Sequence, residues 1–396
     1  MAIILFDDNA HQTLLPLTYT RPVANLRIGI MTTAEKWAKY LNSEYSFHTL
    51  DYLQAKFPVK IEADNIFING SVCPDEGLLE AIDKLQTGQA LKYNELLVAV
   101  RLNETDAKAF NYQAGFDDVV AYSNLLVALK YPEDIFRKND IELRKDFKLL
   151  TNGRASAAIS STNTIIGNDF FAEEGAVAEC STFNTTNGPI YLSANTQVWE
   201  GTNIRGAFAI CEHSQVKMGT KIYGATTVGP YSRVGGEINN AVIWGYTSKG
   251  HEGYLGNSVL GEWCNIGADS NNSNLKNNYA EVKLWDYSTR RFRKTGLQFC
   301  GLIMGDHSKC GINTMFNTGT VVGVSANVFG AGFPLNFVPD FSWGGAQGLE
   351  VYLFDKAMET TRRVFDRRDH REFNEVEQNL LKAVFEQTEE YRQLFM

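Results

Sequence analysis

The sequence predicts an α/β domain followed by an all-β, left-handed parallel β-helix of hexapeptide repeats, closed by C-terminal helices. Three observations carry that reading. Apolar residues recur every six positions through the middle of the chain. Before that stretch, short apolar runs alternate with helically spaced segments, and after it helical spacing returns.

In the first 105 or so residues, 2–6, 65–69 and 96–100 are short apolar runs that end in polar or turn residues. Residues 31–41 and 75–85 carry apolar positions at i, i+3 and i+4, and Pro74-Asp75 introduces the second of them. That alternation predicts a small α/β domain. Residues 122–150 are polar, rich in Lys, Arg, Asp and Glu, and read as a helical connector.

The repeat then sets in. Leu192, Val198, Ile204, Ile210, Val216, Ile222, Val228 and Val234 are spaced by six without a miss. Four residues after most of these stands a small residue: Thr196, Thr202, Ser214, Thr220, Thr226 and Ser232, with Phe208 the exception. A period of six fits neither a helix nor a free-standing hairpin series. It fits a coil of three flat sides with one apolar side chain per side pointing inward, stacked at ~4.8 Å. The register shifts by two and resumes at Val242, Tyr254, Leu260 and Ile266, with Ser248 the miss. It returns at Met304, Cys310, Phe316, Val322 and Val328 after an Asn-rich interruption over 268–297, read as a loop thrown out of the solenoid. From residue 349 onward the pattern is helical.

Composition narrows the function. A net charge of −9 disfavours a nucleic-acid binder or an anionic-membrane binder, since both gain from a basic face. No apolar run approaches the ~20 residues of a membrane span, and the opening MAIILFDD lacks the basic and apolar regions of a signal peptide. The six cysteines are scattered, with no CxxC, which predicts reduced thiols and a cytoplasmic location.

The stretch KGHEGYLGNSVLGEWCNIGA, residues 249–268, resembles the bifunctional N-acetylglucosamine-1-phosphate uridylyltransferase/glucosamine-1-phosphate acetyltransferase family, within the hexapeptide acyltransferase superfamily. The shared run is Gly-His-x-x-Tyr-Leu-Gly, then Asn-Ile-Gly-Ala. The resemblance implies that His251 is a catalytic base. Such a role is chemically sound, because an amine must be neutral to attack a thioester and an imidazole takes a proton near neutral pH. It also implies substrate contacts at Tyr254, Asn265, Asn278 and Arg233, the last in TVGPYSRVGG. Tyr254 falls on the apolar register, so interior packing is its other reading, and Asn265 and the 271–278 Asn cluster have turn formation as theirs. Two cations of the family pattern are replaced, by Gly235 and Asn240. Lys276, Arg290, Arg291, Arg293 and Lys294 in the loop are candidates to replace them.

Near the N-terminus, LLPLTYTRPVANLRIG (14–29) resembles the latter half of a sugar-nucleotidyltransferase signature, with Arg21 and Arg27 as candidate phosphate ligands. The Gly-rich half is replaced by DDNAHQT (7–13), Val23 stands for the Lys, and Ser71 stands for the metal-binding Asp. Mg²⁺ is implied only if that site is active, and no other metal is expected.

These readings divide the chain into a nucleotidyltransferase-like α/β domain (1–121), a helical connector (122–160), a β-helix acyltransferase domain (161–348) and C-terminal helices (349–396). The expected function is acetyl (acyl) transfer from acetyl-CoA to an amino sugar phosphate such as glucosamine-1-phosphate, in UDP-N-acetylglucosamine biosynthesis. The resemblance further implies a homotrimer with sites between subunits, and neither nucleic acid nor membrane as a partner. Three alternatives stand beside it: nucleotidyl transfer by the N-terminal domain, a γ-type carbonic anhydrase using His213, His251 and His307, and a non-catalytic sugar-nucleotide binding module.

Overall fold

The computed structural model describes residues 1–368 and 371–395. They form two compact units; the first holds Met1–Leu14, Thr20–Leu26 and Met31–Tyr131, and the second holds the rest.

The first unit is a six-stranded mixed sheet in the order β2-β1-β3-β5-β4-β6. The strands are β1 (Ala2–Phe6), β2 (Tyr45–His48), β3 (Asp64–Asn69), β4 (Gln89–Tyr93), β5 (Leu96–Asn103) and β6 (Asp118–Ala121). β1 pairs in parallel with β2 and β3, whereas β5 runs antiparallel to both β3 and β4. The helix Thr33–Leu41 starts at a capping box, with Thr32 accepting from Glu35 N and Glu35 reaching back to Thr32 N. The helix Glu76–Asp83 is capped by Asp75, as the Pro-Asp pair predicts. β2, β4 and β6 carry no strong alternation, and the sequence reading passed over all three.

Asp7 lies buried in this unit, where its carboxylate accepts from Val23 N at 2.8 Å and from the Thr49 hydroxyl. Burial outweighs these bonds and pushes the carboxyl up to about 7, against 3.8 for an unburied Asp. The folded state therefore keeps a proton that the unfolded chain releases, so this contribution to stability is present in acid and is lost as pH rises through about 7. The substitution Asp7→Asn should flatten that fall: its melting temperature should gain on the wild type between pH 5 and pH 8.5. Melting curves that kept a constant offset at the two pH values would contradict it.

The second unit is a three-sided parallel solenoid. Its sides are sheets of six, nine and ten strands, with parallel neighbours roughly one coil apart in sequence. The final pair, Ser342–Gly345 with Gly348–Val351, is antiparallel and ends the third sheet. All eight residues of the unbroken six-residue series point into one apolar core. Phe208, the exception among the small corner positions, is fully buried in that same core. Each buried aliphatic contributes ~1.5–3 kcal/mol relative to exposure. The corner residues do more than save space. Ser214 Oγ donates to Gly229 O at 2.7 Å and accepts from Ser232 N at 2.9 Å, and Ser232 repeats the pattern with Trp244 O and Thr247 N. Hydroxyls thus tie successive coils together along one edge.

Two expectations need correction. In the middle coils the inward residues are Ile238, Ile243, Lys249 and Leu255, not Val242 and Tyr254. Val234 to Ile238 is four residues and Ile238 to Ile243 is five, so shortened corners displace the register in steps that a constant period does not follow. The interruption also starts later than the composition suggests. Asn271–Asn272 still pairs with Met315–Phe316, and Asn272 is buried, accepting from Gly256 N at 2.8 Å and donating to Gly256 O at 3.0 Å. A side-chain amide that satisfies both backbone groups makes a polar inward residue tolerable. Beyond it, the hairpin Lys283–Asp286 with Arg291–Lys294 leaves the coil.

The connector contains one helix, Glu133–Thr151. The C-terminal segment contains Phe354–Asp366, Glu375–Gln387 and Glu389–Phe395. No helix among the described residues is long and apolar enough to cross a membrane.

Candidate functional site

The third sheet places an outward residue immediately before each inward one. Strand pairing aligns Gln215, Arg233, Ser248, Asn265 and Lys309 into one outward column, while Val216, Val234, Lys249, Ile266 and Cys310 follow them on the inside. Arg233, Ser248, Asn265 and Lys309 of that column floor a cavity of about 670 Å³ whose lining also includes Lys217 and His251. His251 comes from the loop that follows Ser248–Lys249. Gly253 in this loop holds φ +117°, and a Cβ there would sit 2.1 Å from Ser270 O, so only glycine fits.

One wall carries the rings of Tyr246 and Trp263, part of a longer ring stack. His213, Tyr231, Tyr246 and Trp263 occupy successive corners in the left-handed region, with φ of 56–63°. Their rings stack at 4.8, 5.2 and 4.2 Å between neighbours. The adjoining wall is the helix Phe354–Asp366 and the two residues after it: Phe365 stacks on Trp263 at 3.9 Å, and Thr360, Arg363, Val364, Arg367 and Arg368 line the cavity. Arg368 Nη1 donates to Tyr231 O at 3.2 Å.

The cavity is strongly cationic, and among the described residues no carboxylate lines it. Burial, and after it the charge of Arg233, holds the Lys217 ammonium below the usual lysine range. Burial, then Arg233 and Arg367, does the same to Arg368. Burial pushes Lys309 down to about 8, and its ammonium donates to His307 O at 2.7 Å. Like charges that depress one another leave a site complementary to a polyanion.

Of the residues nominated from sequence, His251, Arg233 and Asn265 meet in this cavity. Tyr254 and Asn278 do not line it. The Tyr254 hydroxyl lies 3.0 Å from Asn274 Nδ2 and 3.5 Å from Asn239 Nδ2, and the exposed Asn278 accepts from Ala280 N in a turn. None of the five loop cations lines it either: Arg293 pairs with Glu133 at 2.6 Å, Arg290 with Glu390 at 2.6 Å and Lys294 with Glu281 at 3.7 Å. Sequence reasoning missed Lys217, Lys309, Arg363, Arg367 and Arg368. The signal available was the register itself, since Lys309 precedes the inward Cys310 as Arg233 precedes Val234. His213 and His307 take part in ring stacks and do not converge with His251, and no group of three or more His, Cys, Asp or Glu among the described residues could hold a metal.

The first unit has its own cavity of about 830 Å³, lined by residues that include Asp8, Asn9, Ser71, Lys92, Glu95, Tyr112 and Lys130. Asp8 accepts from Ala10 N and from Asn69 Nδ2, both at 2.8 Å, and Ser71 Oγ donates to Asn69 Oδ1 at 2.7 Å. Arg21 is buried and does not line this cavity, whereas Arg27 belongs to the second unit and donates to Ile30 O. Lys92 and Lys130 supply its cations instead. Asp8 and Glu95 are the acids on this lining, and no group of three or more His, Cys, Asp or Glu among the described residues could hold a metal.

Residues 3–155 match the sugar nucleotidyl transferase family. A bifunctional protein GlmU of Methanocaldococcus jannaschii is 33% identical over 87 residues, covering 22% of this chain and 21% of that protein. A bifunctional protein GlmU of Synechococcus elongatus is 24% identical over 185 residues, covering 45% of this chain and 33% of its own length. The matches thus span a third or less of these relatives. A solved structure of Arabidopsis UDP-N-acetylglucosamine acyltransferase overlaps 51% of this chain and 77% of its own at 15% identity, with a TM-score of 0.25, too low to bear on the argument. Residues 3–155 are thus similar to sugar nucleotidyl transferases, and parts of the chain are similar, at low identity, to bifunctional GlmU proteins.

Proposed function

We propose that this chain is a transferase of sugar-nucleotide biosynthesis whose β-helix moves an acetyl (acyl) group from acetyl-CoA to an amino sugar phosphate. The observation that carries the reading is the meeting of His251, Arg233 and Asn265 in one cavity with five further cations. In this mechanism His251 takes a proton from the acceptor amine as the nitrogen attacks the thioester carbonyl. The carbonyl oxygen becomes an oxyanion that the Asn265 amide is placed to stabilise. As the C–S bond breaks, the imidazolium returns the proton to the departing thiolate, leaving an amide and free CoA. Arg233, Lys217 and the arginines at the end of the Phe354–Asp366 helix hold phosphate groups of the two substrates.

Replacing Arg233 by Ala should raise the KM for the phosphorylated acceptor by about 10- to 100-fold, the loss expected for one charged hydrogen bond, with a smaller change in kcat. Binding should also weaken as salt is raised. Steady-state kinetics in 50 and 300 mM salt measures both, and an unchanged KM would remove Arg233 from the site.

We further propose a cytoplasmic homotrimer in which the 268–297 excursion reaches a neighbouring subunit. Light scattering should return three times the chain mass of 44.3 kDa, and a stable monomer would overturn it.

The family match of residues 3–155 favours a second reading, nucleotidyl transfer in the first unit. Phosphoryl chemistry depends on positioned cations, amides and metal. Here DDNAHQT replaces the glycine loop, and Val23 and Ser71 replace the Lys and Asp of the signature. Pyrophosphate release from UTP, N-acetylglucosamine-1-phosphate and Mg²⁺ should therefore be slow. Turnover of about one per second or faster, typical of working enzymes, that vanished in Lys92→Ala would establish an active site there.

A further inference from the structure

We infer that Lys249 is a positioning residue, running through the interior of the β-helix to fix, from inside, the loop that carries His251. The inference rests on the reading of His251 as the base. Strand pairing sets Lys249 in the inward column, between Val234 and Ile266, in the place an aliphatic residue takes in the neighbouring coils. Its side chain is 2% exposed. The ammonium donates to His251 O at 2.7 Å. It also lies against the corner at Gly236, where a Cβ would stand 2.9 Å from Nζ and 2.7 Å from Gly253 O. The amine is thus threaded from the third sheet to the loop 250–253, and it satisfies the carbonyl of the residue on which the proposed chemistry turns.

An ammonium is among the most costly groups to bury, and packing alone does not call for one. Met304 occupies an inward position of the adjacent sheet and shows that an unbranched apolar chain fits this core. Burial lowers the Lys249 ammonium to about 8, while Glu252 and Asp269, the acids facing it, pull the other way, so it remains a donor at neutral pH. The loop has few other ties of its own. Among the described residues, its other backbone bonds are donated by Asp269 N to Glu252 O and by Glu237 N to Gly253 O. Fixing the His251 carbonyl restrains the peptide on both sides of it, and with it the direction in which the imidazole leaves the backbone. A displacement of about 1 Å in a reacting group costs on the order of 100-fold in rate.

The test compares Lys249→Met with Ile266→Val, a change in the same interior column that removes no hydrogen bond. Three readouts are taken on the full chain: hydrogen exchange of residues 250–253, the rate of carbethoxylation of His251 resolved by peptide mass, and the kcat and KM of thiol release from acetyl-CoA. Lys249→Met should raise exchange in the loop about tenfold or more, change the His251 modification rate and lower kcat by about 10- to 100-fold. Its KM should stay within about twofold and its melting temperature should not fall. Ile266→Val should leave exchange, modification and kcat as in the wild type. Unchanged exchange and modification in Lys249→Met, or the same changes in Ile266→Val, would overturn the proposal. If the wild type releases no thiol while exchange and modification respond as expected, the acyl-transfer reading fails and the anchoring of His251 stands.

Discussion

His251→Ala should abolish acyl transfer, lowering kcat by about 10²- to 10⁴-fold, the usual cost of losing a general base. Its melting temperature should stay near that of the wild type. The imidazole is exposed, and the backbone carbonyl of His251 is tied to the core through Lys249. Truncating an exposed side chain of this kind changes stability by roughly 0.5 kcal/mol or less. KM for the phosphorylated substrates should change little, because the cations proposed to hold phosphate are Arg233, Lys217 and the arginines at the end of the Phe354–Asp366 helix. Kinetics at pH 7.5 with purified variant and wild type gives all three quantities. Activity within a few-fold of wild type would mean that another group takes the proton, and Lys309, held at about 8 in the same cavity, is the residue to examine next.

Trp263→Ala should produce the largest loss of stability at the site, about 3–5 kcal/mol. The indole is 3% exposed and packed between Tyr246 at 4.2 Å and Phe365 at 3.9 Å. Removing it opens a void in the aromatic wall and takes away the ring on which the Phe354–Asp366 helix is stacked. Alanine at φ +63° adds the strain of a left-handed residue. Arg363, Arg367 and Arg368 then lose their fixed placement, so affinity for phosphorylated ligands should fall with stability. Trp263→Phe retains a ring at the same corner and should recover most of both. Denaturant unfolding and ligand titration of the two variants check this. A loss below about 1 kcal/mol, with affinity unchanged, would show that the stack neither holds the helix nor shapes the cavity.

The solenoid was legible because its interior obeys a simple rule where corners keep their length. Leu192 through Val234 all point inward as the period requires. The rule failed where corners shorten, at Ile238 and Ile243, and so the inward lysine was hidden one residue after the apparent miss at Ser248. A period of six registers only apolar residues, and Lys249 is not one. The motif context found His251, Arg233 and Asn265, which lie near one another through strand pairing as well as in sequence. It did not find Arg363, Arg367 and Arg368, because their approach to the cavity depends on Phe365 stacking on Trp263, a tertiary contact with no local signature. The basic loop residues misled for the opposite reason. A run of cations in sequence looks available, yet Glu133, Glu281 and Glu390 neutralise three of them in the fold. Tyr254 was assigned to the inward register, whereas pairing with Glu237 puts Leu255, not Tyr254, on the core side.

The decisive question is whether the cavity around His251 transfers an acyl group. The most direct measurement is release of free CoA thiol from acetyl-CoA by the wild-type chain, read against a panel of amino sugar phosphates and nucleotide-linked amino sugars near pH 7.5. Acceptor-dependent thiol release is expected with at least one phosphorylated amino sugar, and it should be lost in His251→Ala. Thiol release absent with every acceptor, or equally fast in His251→Ala, would contradict it.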